Sequence, residues 1–125
     1  MLEDCKVETA LEILVGKWKH AILFHLFVNG TMRFSELQKA MPNITKKMLT
    51  AQLRELEYHD IVHREIYLQI PPKVEYSITE YGKKISPILQ AMNDLGMTHE
   101  EHLNELYGEG RSVETFDEKD ELVGK

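Results

Sequence analysis

Two short helical patterns joined by a turn of only a few residues, within residues 34–59, restrict the possible folds more than any other part of this sequence. Apolar residues recur at helical spacing from Phe34 to Met41, and Pro42 ends the run. Thr45 can cap the helix that follows, because the fifteen residues after it contain neither glycine nor proline. We therefore predict two helices that meet at a tight turn.

The second of these helices, predicted from about Thr45 to His59, has two chemically different sides. At about 100° per residue, one side carries the apolar residues Leu49, Leu53 and Leu56. The other side carries cationic and hydroxyl side chains, namely Lys46, Lys47, Thr50 and Arg54. One side is therefore expected in the core, and the other is expected in solvent or against an anionic partner.

Two further helices and a short link are predicted upstream of this pair. The first presents an apolar face from Val7 to Leu14 and ends before Gly16. The second begins near Trp18 and ends at Asn29-Gly30, a pair suited to a left-handed C-terminal cap. The link, Thr31-Met32-Arg33, is compatible with β structure.

After Asp60 the sequence changes to the alternation of apolar and polar residues that is typical of strands. Two such strands are predicted, from Val62 to Tyr67 and from Val74 to Ile78. Between them lies Ile70-Pro71-Pro72-Lys73, where two prolines restrict φ and remove backbone donors. The hairpin tip is therefore expected to protrude.

A long final helix follows, and we expect Thr79 to cap it and Pro87 to kink it. Residues of one mainly apolar stripe recur along it about every 3.5 residues, and this stripe is expected to pack against a partner helix: Ile85, Ile88, Met92, Leu95, His99, Leu103 and Leu106. From Glu109 the pattern disappears, so we predict one domain over residues 1–108 and a flexible acidic tail over residues 109–125.

This order of elements is typical of an α+β fold, a winged helix-turn-helix with a long C-terminal dimerisation helix. The whole chain has a net charge of -6, but residues 33–84 hold nine Lys/Arg and seven Asp/Glu, a net of +2. Positive charge is thus concentrated where DNA would lie. The predicted DNA-binding residues are Arg33, Thr45, Lys46, Lys47, Thr50, Arg54, Arg64 and Lys73.

Each of these charges could instead be an ordinary solvated surface charge. A winged helix used only to bind other proteins is the alternative function, although such a module would not require the cationic face of the fourth helix. An enzyme finds little support, because the sequence has no glycine-rich phosphate loop, nucleophile elbow or spaced metal-ligand cluster. No cofactor is expected.

Four stretches resemble the HxlR family of bacterial transcriptional regulators, which are related to the MarR-type winged helix proteins. They are Gly16-Lys17-Trp18, Arg33-Phe34-Ser35-Glu36-Leu37, Leu49-Thr50-Ala51-Gln52-Leu53-Arg54-Glu55-Leu56 and Pro71-Pro72-Lys73-Val74-Glu75-Tyr76-Ser77-Ile78-Thr79-Glu80-Tyr81-Gly82. The resemblance runs from about Cys5 to Gly96. It implies a repressor or activator that binds a pseudo-palindromic double-stranded DNA operator as a homodimer, in which the N-terminal and C-terminal helices pack across a two-fold axis.

The interface residues expected from this arrangement are Val7, Leu11, Ile88, Met92, Leu95, His99 and Leu103. The resemblance also implies that an N-terminal cysteine can sense redox change or electrophiles, and Cys5 occupies that position. Lys6 would favour its thiolate and Asp4 would oppose it, so a sensor and an inert thiol both remain open. A small-molecule or electrophile effector is a further possibility. Its pocket would be lined by methionines, although core filling is the role expected first for them: Met32, Met41, Met48, Met92 and Met97.

His99 and His102 lie on one helical face, but two ligands do not make a specific metal site, and none is predicted. The sequence shows no apolar run near the ~20 residues that span a bilayer and no basic segment followed by an apolar one at its start. We therefore expect a cytoplasmic protein that does not bind membranes.

Overall fold

The computed structural model describes residues 5–108, and these form five α-helices, one 3₁₀ helix and three strands. In chain order, the elements are α1 (Val7–Leu14), α2 (Lys19–Asn29), β1 (Met32–Arg33), α3 (Phe34–Ala40), α4 (Lys46–Tyr58), β2 (Val62–Tyr67), β3 (Lys73–Ile78), the 3₁₀ helix (Gly82–Ile85) and α5 (Ser86–Tyr107). The predicted α+β winged helix-turn-helix fold with a long C-terminal helix is confirmed. The predicted acidic tail lies outside the described residues.

The helix-turn-helix consists of α3, a short turn and α4. The turn closes because Met41 and Ile44 are both buried and the Ile44 amide donates to the Met41 carbonyl at 3.1 Å. The predicted apolar side of α4 is fully buried, together with side chains from the preceding helices: Ile22, Leu23, Leu26, Leu37, Leu49, Leu53 and Leu56. Burial of this set holds α4 with its other side in solvent.

The three strands form an antiparallel sheet in the order β1-β3-β2. In its register, Val62 lies opposite Ile78 and Tyr67 opposite Lys73, so residues 68–72 form the tip outside the ladder. Leu68 and Ile70 at this tip are almost completely exposed, as the two prolines in the tip predict. This hairpin is the wing.

Ile61 and Thr79 connect the end of α4 to the wing and to the 3₁₀ helix. The Thr79 amide donates to the Ile61 carbonyl at 3.0 Å, and its hydroxyl donates to the Asp60 carbonyl at 2.6 Å. The same hydroxyl oxygen accepts from the Gly82 amide at 2.8 Å. Thr79 therefore caps the 3₁₀ turn, and the prediction that it caps the long final helix is wrong.

The long helix α5 begins only at Ser86, because the chain first forms the 3₁₀ helix. Pro87 is thus the second residue of α5, where the missing N–H has no intrahelical partner to lose. The predicted kink at Pro87 is therefore wrong. Residues 5–86 form one compact unit, and α5, about 33 Å long at 1.5 Å per residue, belongs to a second. No helix in residues 5–108 is long and apolar enough to cross a membrane.

Candidate nucleic-acid interface

The N-terminus of α4 is an exposed end of positive potential. The Thr45 hydroxyl accepts from the Met48 amide at 3.1 Å, which makes it the predicted cap. The first turn carries Lys46 and Lys47 and no acidic residue, so nothing there compensates the positive end of the helix dipole. This combination favours an anion such as a phosphate.

Four exposed residues of α4, Lys46, Lys47, Thr50 and Ala51, line a shallow open depression beside this end. The Thr50 hydroxyl donates to the Lys46 carbonyl at 2.8 Å, so its own proton is already used. What Thr50 and Ala51 present outward is an acceptor oxygen and methyl groups, which suit a thymine methyl in a major groove. Within residues 5–108, neither lysine forms an ion pair.

The two predicted arginines, Arg54 on α4 and Arg64 on β2, converge on one carboxylate. Arg54 Nη1 lies 3.4 Å from Glu57 Oε1, and Arg64 Nε lies 3.3 Å from the same oxygen. The Glu57 carboxylate therefore bridges α4 and the wing. The spacing of three residues between Arg54 and Glu57 was visible in the sequence, but the contact with Arg64 depends on how the hairpin folds back.

Arg33 and Lys73 lie on the sheet around a different carboxylate. Arg33 pairs with Glu75 across the β1-β3 ladder, and Lys73 Nζ lies 3.5 Å from Glu75 Oε2. Lys73 Nζ also lies 4.4 Å from the centre of the Tyr67 ring. The charge of Glu75, with smaller contributions from partial desolvation, a hydrogen bond to Glu75 and the charge of Glu65, raises the pKa of Tyr67. Lys73 is thus partly neutralised within the chain, whereas Arg33 lies opposite Glu75 in the ladder.

An ion pair between a buried lysine and a half-exposed glutamate, which the sequence did not reveal, holds α4 against α2. Lys19 Nζ lies 2.9 Å from Glu55 Oε1, and the Lys19 side chain is only 8% exposed whereas Glu55 is 53% exposed. A lysine at the first position of a helix is usually solvated, so no local pattern distinguishes this one. The pair restrains the rotation of α4 about its axis, and therefore the direction in which its cationic face points.

The structure thus brings five of the eight predicted DNA-binding residues onto α4 or its cap: Thr45, Lys46, Lys47, Thr50 and Arg54. Arg64 joins them through Glu57, while Arg33 and Lys73 lie on the sheet beside Glu75. Contact with DNA remains a prediction for all eight.

The residues predicted for the dimer interface lie on α1 and α5. Five large apolar members of the set are exposed in the single chain, which leaves them available to a partner: Val7, Leu11, Ile88, Met92 and Leu95. His99 is also exposed, and Leu103 is half-buried. Their role in dimerisation stays a prediction.

Cys5 is a free, exposed thiol just before α1. Near the other end of the described chain, the rings of His99 and His102 lie 6.5 Å apart between centroids. Within residues 5–108 there is no group of three or more potential metal ligands. Of the methionines considered for an effector pocket, Met32 and Met41 are buried in the core, whereas Met48, Met92 and Met97 are exposed. The effector remains a prediction.

A tight helix-turn-helix with a cationic outer face on its second helix, followed by a β-hairpin wing, defines the winged helix-turn-helix transcriptional regulators. Comparison with known proteins identifies the family within this class. The chain belongs to the HxlR-like helix-turn-helix family, whose sequence model matches residues 13–104.

Two relatives from Bacillus subtilis (strain 168) illustrate this similarity. The HTH-type transcriptional regulator YdeP is 49% identical over 104 residues, which are 83% of this chain and 80% of that protein. The HTH-type transcriptional regulator YtcD is 50% identical over 110 residues, 88% of this chain and 84% of that protein. Among solved structures, the redox regulator HypR in its reduced form has a TM-score of 0.75 at 46% identity and covers 81% of this chain and 99% of that one.

Proposed function

We propose that this transcriptional regulator binds a specific pseudo-palindromic operator as a homodimer, represses transcription by occupying it, and responds to oxidants or electrophiles through Cys5. The observation that carries the DNA-binding part is the N-terminus of α4. Lys46 and Lys47 stand there exposed, beside an uncompensated helix dipole. Because neither ammonium group has to break an ion pair with a carboxylate first, both are available to neutralise phosphates.

The homodimer is supported by the apolar side chains that α1 and α5 leave exposed. Ile88, Met92 and Leu95 recur along α5 at the spacing of a helical seam, and a second copy of the same helix would cover them. Two-fold symmetry would then place two α4 helices in successive major grooves about 34 Å apart. Symmetry of the protein thus predicts symmetry of the operator.

The redox part is supported by the exposed Cys5 thiol and by the similarity to HypR, which is described as a redox regulator. Two Cys5 thiols from two subunits would form a disulfide and release two protons and two electrons to an oxidant such as diamide. A mixed disulfide or an alkylated thiol is the alternative product with one cysteine per chain. Any of these modifications would lower operator affinity only if it destabilised the DNA-bound conformation more than the free conformation.

Fluorescence anisotropy on the intergenic DNA upstream of the protein's own coding region, with an excess of unrelated duplex, tests the DNA-binding part. We expect saturable binding, and we expect Lys47→Ala to lower the salt slope of log K by about 1.8, or 0.9 for each of two recognition helices. Lys83→Ala is the matched control, because its ammonium already lies 2.8 Å from the Glu80 carboxylate.

If Lys47→Ala and Lys83→Ala behave alike, α4 does not face DNA. If no preferred duplex emerges even from a random pool, the alternative of a protein-interaction module becomes the better explanation. A repeat after diamide treatment tests the redox part. We expect binding by the wild-type protein to fall and binding by Cys5→Ser to persist. An equal response of both proteins would eliminate Cys5 as the sensor.

A further inference from the structure

We propose that Glu57 is a positioning residue that sets DNA specificity, by holding Arg64 of the wing and releasing Arg54 of α4 only to a correctly placed DNA group. This proposal rests on the proposed DNA-binding function, and it concerns a residue that contacts both arginines without having to contact DNA itself. It is carried by the geometry of the three side chains.

Glu57 lies in the last turn of α4, where the helix passes over the base of the wing. Its Oε1 atom is 3.3 Å from Arg64 Nε and 3.4 Å from Arg54 Nη1, and its Oε2 atom is 3.5 Å from Arg54 Nη1. The Glu57 side chain is 22% exposed and that of Arg64 is 29% exposed, whereas Arg54 is 52% exposed. Because Arg54 is the most exposed of the three, we infer that it is the partner that can leave Glu57 while the less exposed Arg64 stays.

The Glu57 carboxylate is also connected to the sheet, through Arg64 of β2. Arg64 lies directly opposite the buried Tyr76 in the β2-β3 ladder. Burial, and secondly the negative charge of Glu57, raise the pKa of Tyr76, while Arg64 and Arg54 lower it by smaller amounts. The charges of the carboxylate and of both guanidinium groups thus act on the same buried phenol.

The electrostatic consequence concerns DNA that lacks the right sequence. Two guanidinium groups and one carboxylate leave a single net positive charge at the junction of α4 and the wing. Without Glu57, both arginines would be available to any phosphate, and affinity would rise for every duplex. With Glu57 present, Arg54 must exchange a carboxylate for a DNA group, and a misplaced phosphate meets a negative charge. Base contacts with specific DNA can offset the free-energy cost of breaking the Arg54–Glu57 contact, whereas other DNA offers no such contacts.

Glu57→Gln tests this, because it removes the charge and keeps the shape. The probes are a duplex that the wild-type protein enriches from a random pool and a scrambled duplex of the same length and base composition. We expect the variant to bind the scrambled duplex about three- to tenfold more tightly at low salt, with a much smaller change for the selected duplex. The salt slope on the scrambled duplex should steepen by about 1.8 for two heads.

Glu65→Gln is the matched control. It causes the same change in net charge as Glu57→Gln, but on strand β2 rather than on α4. The Glu65 side chain points to the opposite face of the strand from Arg64 and contacts His63 Nε2 at 3.1 Å. Glu65→Gln should change the affinity for both duplexes by the same small factor. Arg54→Ala added to Glu57→Gln should remove most of the gain on scrambled DNA, because the freed Arg54 is its source.

Equal behaviour of Glu57→Gln and Glu65→Gln would overturn the proposal, because net charge alone would then explain both. Weaker binding of both duplexes with an unchanged salt slope would also overturn it, since Glu57 would then only support the fold. Glu57→Asp keeps the charge but shortens the reach, so it should lose part of the discrimination. If the wild-type protein itself enriches no sequence, the proposed function fails first, and this proposal fails with it.

Discussion

Gly82 is the residue whose substitution should reveal how the wing is attached to α4. It is buried at the start of the 3₁₀ helix, and a Cβ atom there would overlap the carbonyl oxygen of Ile61. The same Cβ would lie 3.0 Å from Cγ2 of Ile78. The obstacle is backbone rather than a flexible side chain, so the contact cannot relax cheaply.

The cost of Gly82→Ala has two parts. Insertion of a methyl group into a packed site typically costs about 1–3 kcal/mol. Displacement of the Ile61 carbonyl would in addition weaken its bond from the Thr79 amide, now 3.0 Å long, by about 1 kcal/mol. Alanine also reduces the conformational entropy of the unfolded chain, which stabilises the folded state by about 0.4–1 kcal/mol. We therefore expect the free energy of unfolding to fall by about 1–3.5 kcal/mol.

Urea denaturation followed by circular dichroism measures this change, and an unaltered m value would show that the surface exposed on unfolding is unchanged. Lys83→Ala, at the next position of the same 3₁₀ helix, is exposed and should leave stability close to that of the wild-type protein. A loss for Gly82→Ala no greater than that of Lys83→Ala would refute the argument, because the Ile61 carbonyl would then have room to move.

Two further predictions concern buried polar groups. Glu55→Ala should reduce the free energy of unfolding by about 2–3 kcal/mol, since it leaves the buried Lys19 ammonium unpaired. Lys19→Met should reduce it by about 1 kcal/mol or less, because the half-exposed Glu55 can turn to water. Thermal melts in which Lys19→Met is the less stable variant would contradict this argument. The raised pKa of Tyr76, caused first by burial and then by Glu57, means that the folded state retains the phenol proton better than the unfolded state. The free energy of unfolding should therefore fall as the pH rises above about 10. In urea melts across about pH 9–11, it should fall less steeply for Tyr76→Phe than for the wild-type protein.

Most of the fold was predictable from local patterns. The spacing of Leu49, Leu53 and Leu56 predicts the buried side of α4, and the alternation after Asp60 predicts the wing. Such patterns work because helix and strand periodicity decides which side chains share a face before any tertiary contact forms. The cap at Thr45 and the exposed lysines beside it follow from the same local logic.

The errors lie where tertiary contacts override a local signal. Thr79 is a residue type that often caps helices, but its hydroxyl donates to the Asp60 carbonyl and accepts from the Gly82 amide. It therefore caps a 3₁₀ turn, and α5 starts later. Pro87 was expected to kink a helix that in fact begins beside it. Both errors come from the placement of one boundary, which the packing of Gly82 against Ile61 sets.

The sequence by itself determined the winged helix-turn-helix order and the cationic side of α4, and it supplied the prediction of which residues contact DNA. Only the tertiary structure decided which cations are free and which are already paired, because the partners come from distant parts of the chain. Glu55 meets Lys19 from α2, and Glu57 meets Arg64 from the wing. Charge is a property of a residue, but its availability to DNA depends on the opposite charge that the fold places within about 4 Å of it.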